Sequence, residues 1–296
     1  MLTQILLNSI ISAVLLALVA LGFNLIFNAT KVFHLAHGAM YVSALYATFG
    51  FRTLLTKVVP HGLSTVISIV LSLVLISVLV IVVECLIYRP LYRKNVNPTI
   101  SMISSLGVYL FVINLIAFFF GTESVSLSNS YRIVTSNDYF KLTNVEFMHL
   151  LSGIGLIVLV IIFSKTRFYT HLRAVADNYS VAEKFGINVQ RTRFMALIAG
   201  TVLVGAVGIM RGYEIALDPN VGLTITLAAA VAVIIGGVNS LTGTLVACFV
   251  IALIENFSVK ILTAQWKDML TYTLMIGVLV FYQQGLISVK QRVDAR

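Results

Sequence analysis

The chain has 296 residues, 59% of them hydrophobic and only 10% charged, with a formal net charge of +9. Soluble domains carry about 25% charged residues, so a chain this apolar cannot present a water-facing surface, and lipid is its solvent. The positive charge sits in short loops between apolar runs, which leaves no soluble basic domain to hold a nucleic acid.

The first apolar run spans 5–27. It follows "MLTQILLNSI", which lacks the positive n-region of a cleaved leader, and it reads as a membrane span. Further apolar segments lie at 36–52, 63–88, 99–120, 147–164, 194–210, 222–237, 241–258 and 269–285. Several approach the ~20 residues that a helix needs to cross hydrocarbon. They are continuous rather than alternating, so helices and not a barrel satisfy their backbone groups. The fold class is an all-α polytopic transmembrane bundle of about eight to ten membrane segments, some of them short or interrupted. Cys85 and Cys248 lie in apolar spans without metal-type spacing and read as two buried, reduced thiols.

Lysine and arginine in the loops set the orientation. "YRPLYRKNVNP" holds Arg89, Arg93 and Lys94 with no acid, and the loop after Phe163 holds Lys165, Arg167, Arg173, Lys184, Arg191 and Arg193. The tail "SVKQRVDAR" adds Lys290, Arg292 and Arg296. These three face the cytoplasm. The loop 121–146 and "RGYEIALDPNVG", with Glu214 and Asp218, face outside. Nine crossings satisfy these placements, with the N-terminus outside and the C-terminus cytoplasmic.

The two shortest crossings, 36–52 and 222–237, are alike. "NATKVFHLAHGAMYVSALYATF" and "LDPNVGLTITLAAAVAVIIGG" each open on turn residues and enter a run rich in small side chains. Paired interrupted segments in the two halves of a transporter point to its substrate path; the pattern alone leaves open a pair of kinked packing helices. A half-helix that starts within the membrane aims free N–H groups at the midplane. On this reading Asn24, His37, Gly38, Gly236, Gly237, Ser240 and Gly243 mark the translocation path, with the "LAHG" turn close to Gly236–Gly243. His37 either lines the passage or is a neutral imidazole bonded to a carbonyl where the helix restarts. Gly236, Gly237, Ser240 and Gly243 in "IIGGVNSLTGTL" allow close backbone approach at a hairpin.

Catalytic constellations are missing. No HExxH, GxSxG, intramembrane aspartate pair or Walker A sequence occurs, so the chain does not bind ATP through a P-loop. Glu84 lies five residues before Arg89 and reads as one half of an ion pair rather than as a coupling proton site; Glu255 also reads as structural.

One polar stretch interrupts the apolar pattern, "RAVADNYSVAEKFGINVQR", Arg173 to Arg191. From Leu172 to Phe185 it is a short amphipathic helix. Ala174, Ala176, Val181, Ala182 and Phe185 supply a small or apolar face, and Arg173, Asp177, Glu183 and Lys184 keep it wet. Gly186 suits the C′ position, after which Ile187 leads back towards the membrane. A small-residue face with both charge signs fits a protein groove better than a lipid surface.

Four stretches in order carry a family likeness over nearly the whole chain: "LALVALGFNLIFNATKVFHLAHGAMYVSALY", "VVECLIYRPLYRK", "RAVADNYSVAEKFGINVQRTRFMALIAGTVLVGAVGIMRG" and "AAAVAVIIGGVNSLTGTLVACFVIALIEN". The chain resembles the integral-membrane permease subunits of branched-chain amino acid ABC importers of the high-affinity leucine/isoleucine/valine type. The resemblance implies one transmembrane permease domain over 1–296, in a bacterial cytoplasmic (inner) membrane, paired with a second homologous permease. It implies cytoplasmic ATPase subunits that hold the ATP and Mg, an extracytoplasmic solute-binding protein, and no cofactor on this chain. Within the cytoplasmic loop 165–193 it implies a coupling helix at Ala174–Gly186, so that Arg173, Ala174, Asp177, Ala182, Glu183, Gly186 and Ile187 meet the ATPase. The solute implied is a branched-chain or related amino acid; permeases of this kind also serve urea, short amides and, more distantly, sugars or nucleosides. Without that likeness, an ion-coupled carrier or channel for a small solute stands as the alternative. The chain departs from the family pattern at Ala39, where an acid usually follows "HG", at Asn239, Cys248 and Phe249 in place of glycines, and in lacking a proline near the end of its last span.

Overall fold

Why the chain folds as it does is clearest on α3 (His61–Val83). Ser64, Ser68, Ser72, Ile76 and Val80 recur every fourth residue and are buried, while Val66, Val70, Val74, Val78 and Val82 are exposed. Small and hydroxylated residues face the protein and large aliphatic ones face outwards, which is the arrangement for a helix whose solvent is lipid. The serines return their hydroxyls to their own helix, Ser68 to the Ser64 carbonyl and Ser72 to that of Ser68. Ser72 also meets Thr48 of α2 (His37–Leu55) across the contact, Oγ to Oγ 2.6 Å.

This computed structural model describes residues 2–94, 96–127, 133–136, 141–261 and 266–281. After α1 (Leu2–Thr30), α2 and α3, a π-helical turn (Glu84–Tyr88) runs into α4 (Arg89–Arg93). Then come α5 (Pro98–Phe120), an antiparallel ribbon of β1 (Ile133–Ser136) and β2 (Lys141–Thr143), and α6 (Asn144–Phe163). The short α7 (Arg167–Asp177) and α8 (Tyr179–Lys184) precede α9 (Val189–Glu214), α10 (Val221–Gly236), α11 (Leu241–Ile261) and α12 (Trp266–Phe281). Six described helices are long and apolar enough to cross a membrane, beginning at Leu2, His61, Pro98, Asn144, Val189 and Leu241. The polytopic helical bundle expected from the apolar runs is the fold, with the small β ribbon added outside it. Helix starts fall where local capping dictates. Asn97 accepts from Thr99 N before Pro98, Asn188 accepts from Arg191 N, and Thr143 and Glu146 close a reciprocal capping box.

α1 is the central post. From Leu15 to Ala29 it is almost wholly buried, packed by α9, α10 and α11. Gly22 and Gly200 set its distance from α9: a Cβ on Gly22 would lie 2.8 Å from the Gly200 carbonyl oxygen. α5 and α6 expose Phe111, Phe118, Leu151 and Leu159 on their outer faces. Of the two thiols, Cys248 is buried as expected, but Cys85 is exposed on the surface of the bundle.

The two sets of charged loops occupy opposite ends of α9. At its start, Arg193 donates to the Ala29 carbonyl at 3.2 Å and lies 4.4 Å over the Tyr92 ring. At its finish, Glu214 pairs with Arg211 at 2.9 Å and lies 3.3 Å from His149 Nδ1. The 121–127 loop is fastened there. Leu127 N donates to the Gly212 carbonyl, Val125 bridges Leu217, Arg52 donates to the Leu127 carbonyl, and Tyr46 reaches the carbonyls of Glu123 and Leu217. Among the described residues Glu84 makes no direct ion pair, but the charges of Arg193 and Arg89 both act on it, so cationic side chains do surround it as the sequence led one to expect. The chain there is π-helical, Arg89 donates its N–H to the Glu84 carbonyl, and the buried carboxylate keeps one oxygen without a hydrogen-bond partner.

Candidate functional site: a polar surface segment and two interrupted helices

α2 does not begin at the membrane surface. After Thr30 the chain turns at Lys31, which takes a left-handed φ of 55° and donates its N–H to the Phe27 carbonyl. It then climbs back beside α1 before the helix restarts at His37. His37 is fully buried, its Nε2 is 3.2 Å from the Val19 carbonyl, and its ring meets Phe23 edge-on. Val19 is eleven residues before the end of α1, so at 1.5 Å per residue α2 starts roughly 16 Å inside it. α10 starts at similar depth, since Leu223 N donates to the Tyr109 hydroxyl, which in turn donates to the Asn220 carbonyl, and Tyr109 lies midway along α5. The two starts cross at Gly38 and Gly222, packed so closely that a Cβ on either would collide with the carbonyl of the other. The segments singled out as short and alike are thus two helices that begin inside the bundle and touch there.

The expected neighbour of the "LAHG" turn is different. Gly38 meets Gly222 and Thr226 at the start of α10, whereas Gly236 and Gly243 pack against each other at its far end. The reason lies in the direction of α10, whose first turn and not its last reaches the α2 restart. Gly237 takes a left-handed φ of 89° in the turn to α11, and Ser240 Oγ accepts from Gly243 N at 2.9 Å. Asn24 and Asn28 on α1 both donate to the Val238 carbonyl, at 2.8 and 2.9 Å. Asn24, Gly236, Gly237, Ser240 and Gly243 therefore form one fastened turn, and His37 with Gly38 forms a second locus.

The 173–191 stretch is two helices rather than one. Asn178 sits between them with extended dihedrals (φ −156°, ψ 106°), and its side chain accepts from Ser180 N and Val181 N. An asparagine that caps the next helix competes with continuing the previous one, which breaks the run expected from Leu172 to Phe185. Gly186 does occupy C′. Its φ is +81°, Gly186 N donates to the Glu183 carbonyl, and Ile187 N donates to that of Ala182, the paired bonds of a Schellman stop.

Faces differ from the sequence reading. Ala182 is 3% exposed, turned towards its own chain, and so is not on the outward face. Exposed instead are Tyr179 (55%), Val181 (43%) and Phe185 (82%), alongside Arg173, Asp177, Glu183 and Gly186, with Ala174 and Ile187 half-buried. The signal for this was available in part: Tyr179 and Phe185 are large apolar residues in a polar stretch, and capping by Asn178 fixes the phase of α8. A cleft lined by Phe168, His171, Phe185 and Met195 runs along this surface. Burial lowers the Lys31 pKa, and the charge of Asp177 opposes that shift. Asp177 thereby sets an electrostatic link between α7 and the turn that feeds α2, and α7 packs against α1.

Sequence reasoning missed a further group. A cavity beside the α2 and α10 starts is lined by Tyr41, Arg211, Thr224 and Glu255. Arg211 had read as part of an outer loop, but α9 continues to Glu214 and carries it along the helix. The Arg–Gly–Tyr–Glu spacing, a basic and an acidic residue three apart, was the available sign.

A membrane-spanning helical bundle with two internally starting helices and a polar surface segment is the architecture of a transport subunit. The chain belongs to the branched-chain amino acid transport system / permease component family, which matches it over residues 5–279. It is 23% identical to the high-affinity branched-chain amino acid transport system permease protein LivH of Salmonella typhimurium, over 92% of this chain and 91% of that one. Its identity to the probable LivH of Methanocaldococcus jannaschii is 27%, over 96% and 90%. The autoinducer 2 import system permease protein LsrC of Klebsiella pneumoniae is 32% identical over a shorter stretch, 44% of this chain and 42% of the relative. Among solved structures, PsaBC from Streptococcus pneumoniae in complex with Fab aligns over 93% of this chain and 90% of that chain, with TM-score 0.46 and 13% identity.

Proposed function

We propose that this chain is the transmembrane permease subunit of a binding-protein-dependent ABC importer that carries a branched-chain or related amino acid across a bacterial cytoplasmic membrane. ATP and Mg are held by separate ATPase subunits, a second homologous permease completes the pathway, and an extracytoplasmic binding protein delivers the solute. The N-terminus lies outside and the C-terminus in the cytoplasm. The observation that carries this reading is the α7–α8 segment. It is fixed at Asn178 and Gly186, offers Tyr179, Val181 and Phe185 to a partner, and is linked through Asp177 to the turn that starts α2. Movement imposed on such a segment by a closing ATPase pair passes to α1 and α9, against which α7 packs.

The test is capture of ATPase subunits by the tagged full-length chain. Phe185→Asp places a charge where an 82%-exposed aromatic stood and abolishes capture while the chain still inserts. Undiminished capture by Phe185→Asp overturns the docking claim. A second reading, an ion-coupled carrier, draws on Glu84, a buried carboxylate with an unpartnered oxygen. Uptake that persists without ATP and collapses with the proton or sodium gradient would select it.

A further inference from the structure

We infer that the crevice between α3, α6 and α9 seats one acyl chain of a membrane phospholipid, and that His149 at its mouth accepts a hydrogen bond from that lipid's headgroup. The headgroup class is one that carries an N–H or O–H donor, as ethanolamine does and choline does not. The inference needs only the membrane-spanning bundle and holds whatever solute the chain carries.

Volume and wall come first. The crevice holds about 410 Å³, roughly thirty waters at ~10–15 Å³ each. α9 forms its floor through Ala206 and Ile209, and α3 and α6 form its walls through Leu73 and Leu156. Water in such a space would lack the polar partners it needs, and apolar cavities stay dry. The surfaces on either side are hydrocarbon-facing, with Val70 and Val74 exposed on α3 and Leu151 on α6. Met148, which lines the crevice, is itself exposed on α6. A crevice that opens between two such faces fills from the bilayer.

Depth comes second. Leu73 lies twelve residues after the α3 start at His61, and Leu156 twelve after the α6 start at Asn144. At 1.5 Å per residue both stand about 18 Å along their helices, close to one leaflet of a bilayer about 40–45 Å thick with its headgroups. Asn144 and Tyr213 line the other end, where α6 begins and α9 finishes. The crevice is thus polar at the edge of the bundle, apolar further in, and one leaflet deep. That is the profile of a phospholipid; a helix from a partner chain would need a groove through both leaflets.

The mouth supplies the third observation. His149 lines the crevice, is 3% exposed, and its Nε2 has no hydrogen-bond partner among the described residues. Its Nδ1 lies 3.3 Å from Glu214. A carboxylate only accepts, so Nδ1 carries the proton and Nε2 of the neutral ring is left as an acceptor. A buried acceptor without a donor is costly. His149 stands five residues into α6, about 8 Å at 1.5 Å per residue, the level at which headgroup gives way to chain. An ammonium or hydroxyl of a headgroup satisfies Nε2 there while the chain fills the space beyond.

The test is native mass spectrometry of the full-length chain released from nanodiscs of equal parts dioleoyl phosphatidylethanolamine and dioleoyl phosphatidylcholine. The two lipids share chains and phosphate and differ in N–H donors. One lipid should stay on each chain, with ethanolamine favoured over choline by about tenfold, the scale of one hydrogen bond to a charged group. Ser152 is exposed on the crevice wall, so Ser152→Phe should fill the space without entering the core and abolish retention. His149→Leu should retain a lipid and lose the preference; where it fails to fold by its elution profile, Ser152→Phe and the wild-type preference decide. No retained lipid, or equal retention of the two lipids by wild type, overturns the site. Unchanged retention in Ser152→Phe, or an unchanged preference in folded His149→Leu, does the same. A Ser152→Cys chain that cross-links to a second polypeptide also overturns it, since the crevice would then be covered by protein.

Discussion

Gly186 offers the cleanest perturbation of the proposed docking segment. Its φ is +81°, and a Cβ built there would meet nothing within 4 Å. A side chain therefore costs only its backbone strain, about 1–2 kcal/mol for a Cβ in the left-handed region. That energy falls on the two hydrogen bonds that close α8, Gly186 N to Glu183 and Ile187 N to Ala182. A loss of 1–2 kcal/mol shifts the population of the stopped form by a factor of roughly 5–30. Gly186→Ala should weaken ATPase binding within that range, Gly186→Val should weaken it more because β-branched residues avoid this region, and Gly186→Asn should weaken it least. The assay is titration of purified ATPase subunits onto full-length variants, beside the melting temperature of each chain. Because α8 is a surface helix of six residues, the melting temperature should stay close to wild type. Wild-type affinity for Gly186→Val would refute the reasoning, since it would mean that the Schellman stop does not define the docking surface.

Further outcomes concern the bundle. Asn24→Leu together with Asn28→Leu removes both donors to the Val238 carbonyl and should cost about 1–3 kcal/mol for the carbonyl left unpaired, read as a lower melting temperature. Gly38→Val drives a side chain into the Gly222 carbonyl and Thr226; overpacking of about 1–3 kcal/mol or more should abolish monodisperse chain in size-exclusion chromatography. Tyr46→Phe removes the hydroxyl shared between Glu123 and Leu217 and should speed proteolysis of the 121–127 loop with little change in the rest of the fold.

The helices were legible because their signals are local. A continuous apolar run fixes a span, and turn residues before a short run fixed the starts of α2 and α10 to within a residue or two. Gly186 was legible for the same reason, since a helix stop is set by one residue's φ. What sequence could not show was which face of α8 its own chain covers. Ala182 and Phe185 both suit a docking face by composition, and only packing against the loop buries the first and leaves the second out. The partner of Gly38 was likewise out of reach, because Gly38 and Gly222 are brought together by the depths at which two distant helices start. Arg211 was misread for a third reason. The apolar run ends at Met210, but the α9 backbone continues to Glu214, so a charged residue that looked like loop lies on the helix and lines a cavity.

The most direct test of the account is solute uptake by proteoliposomes carrying the complex purified through a tag on this chain. Uptake of an aliphatic amino acid should require internal or external ATP at the ATPase face, should be insensitive to collapse of ion gradients, and should vanish in Phe185→Asp. ATP-independent uptake by this chain alone, unchanged in Phe185→Asp, would contradict the claim that energy enters through α8.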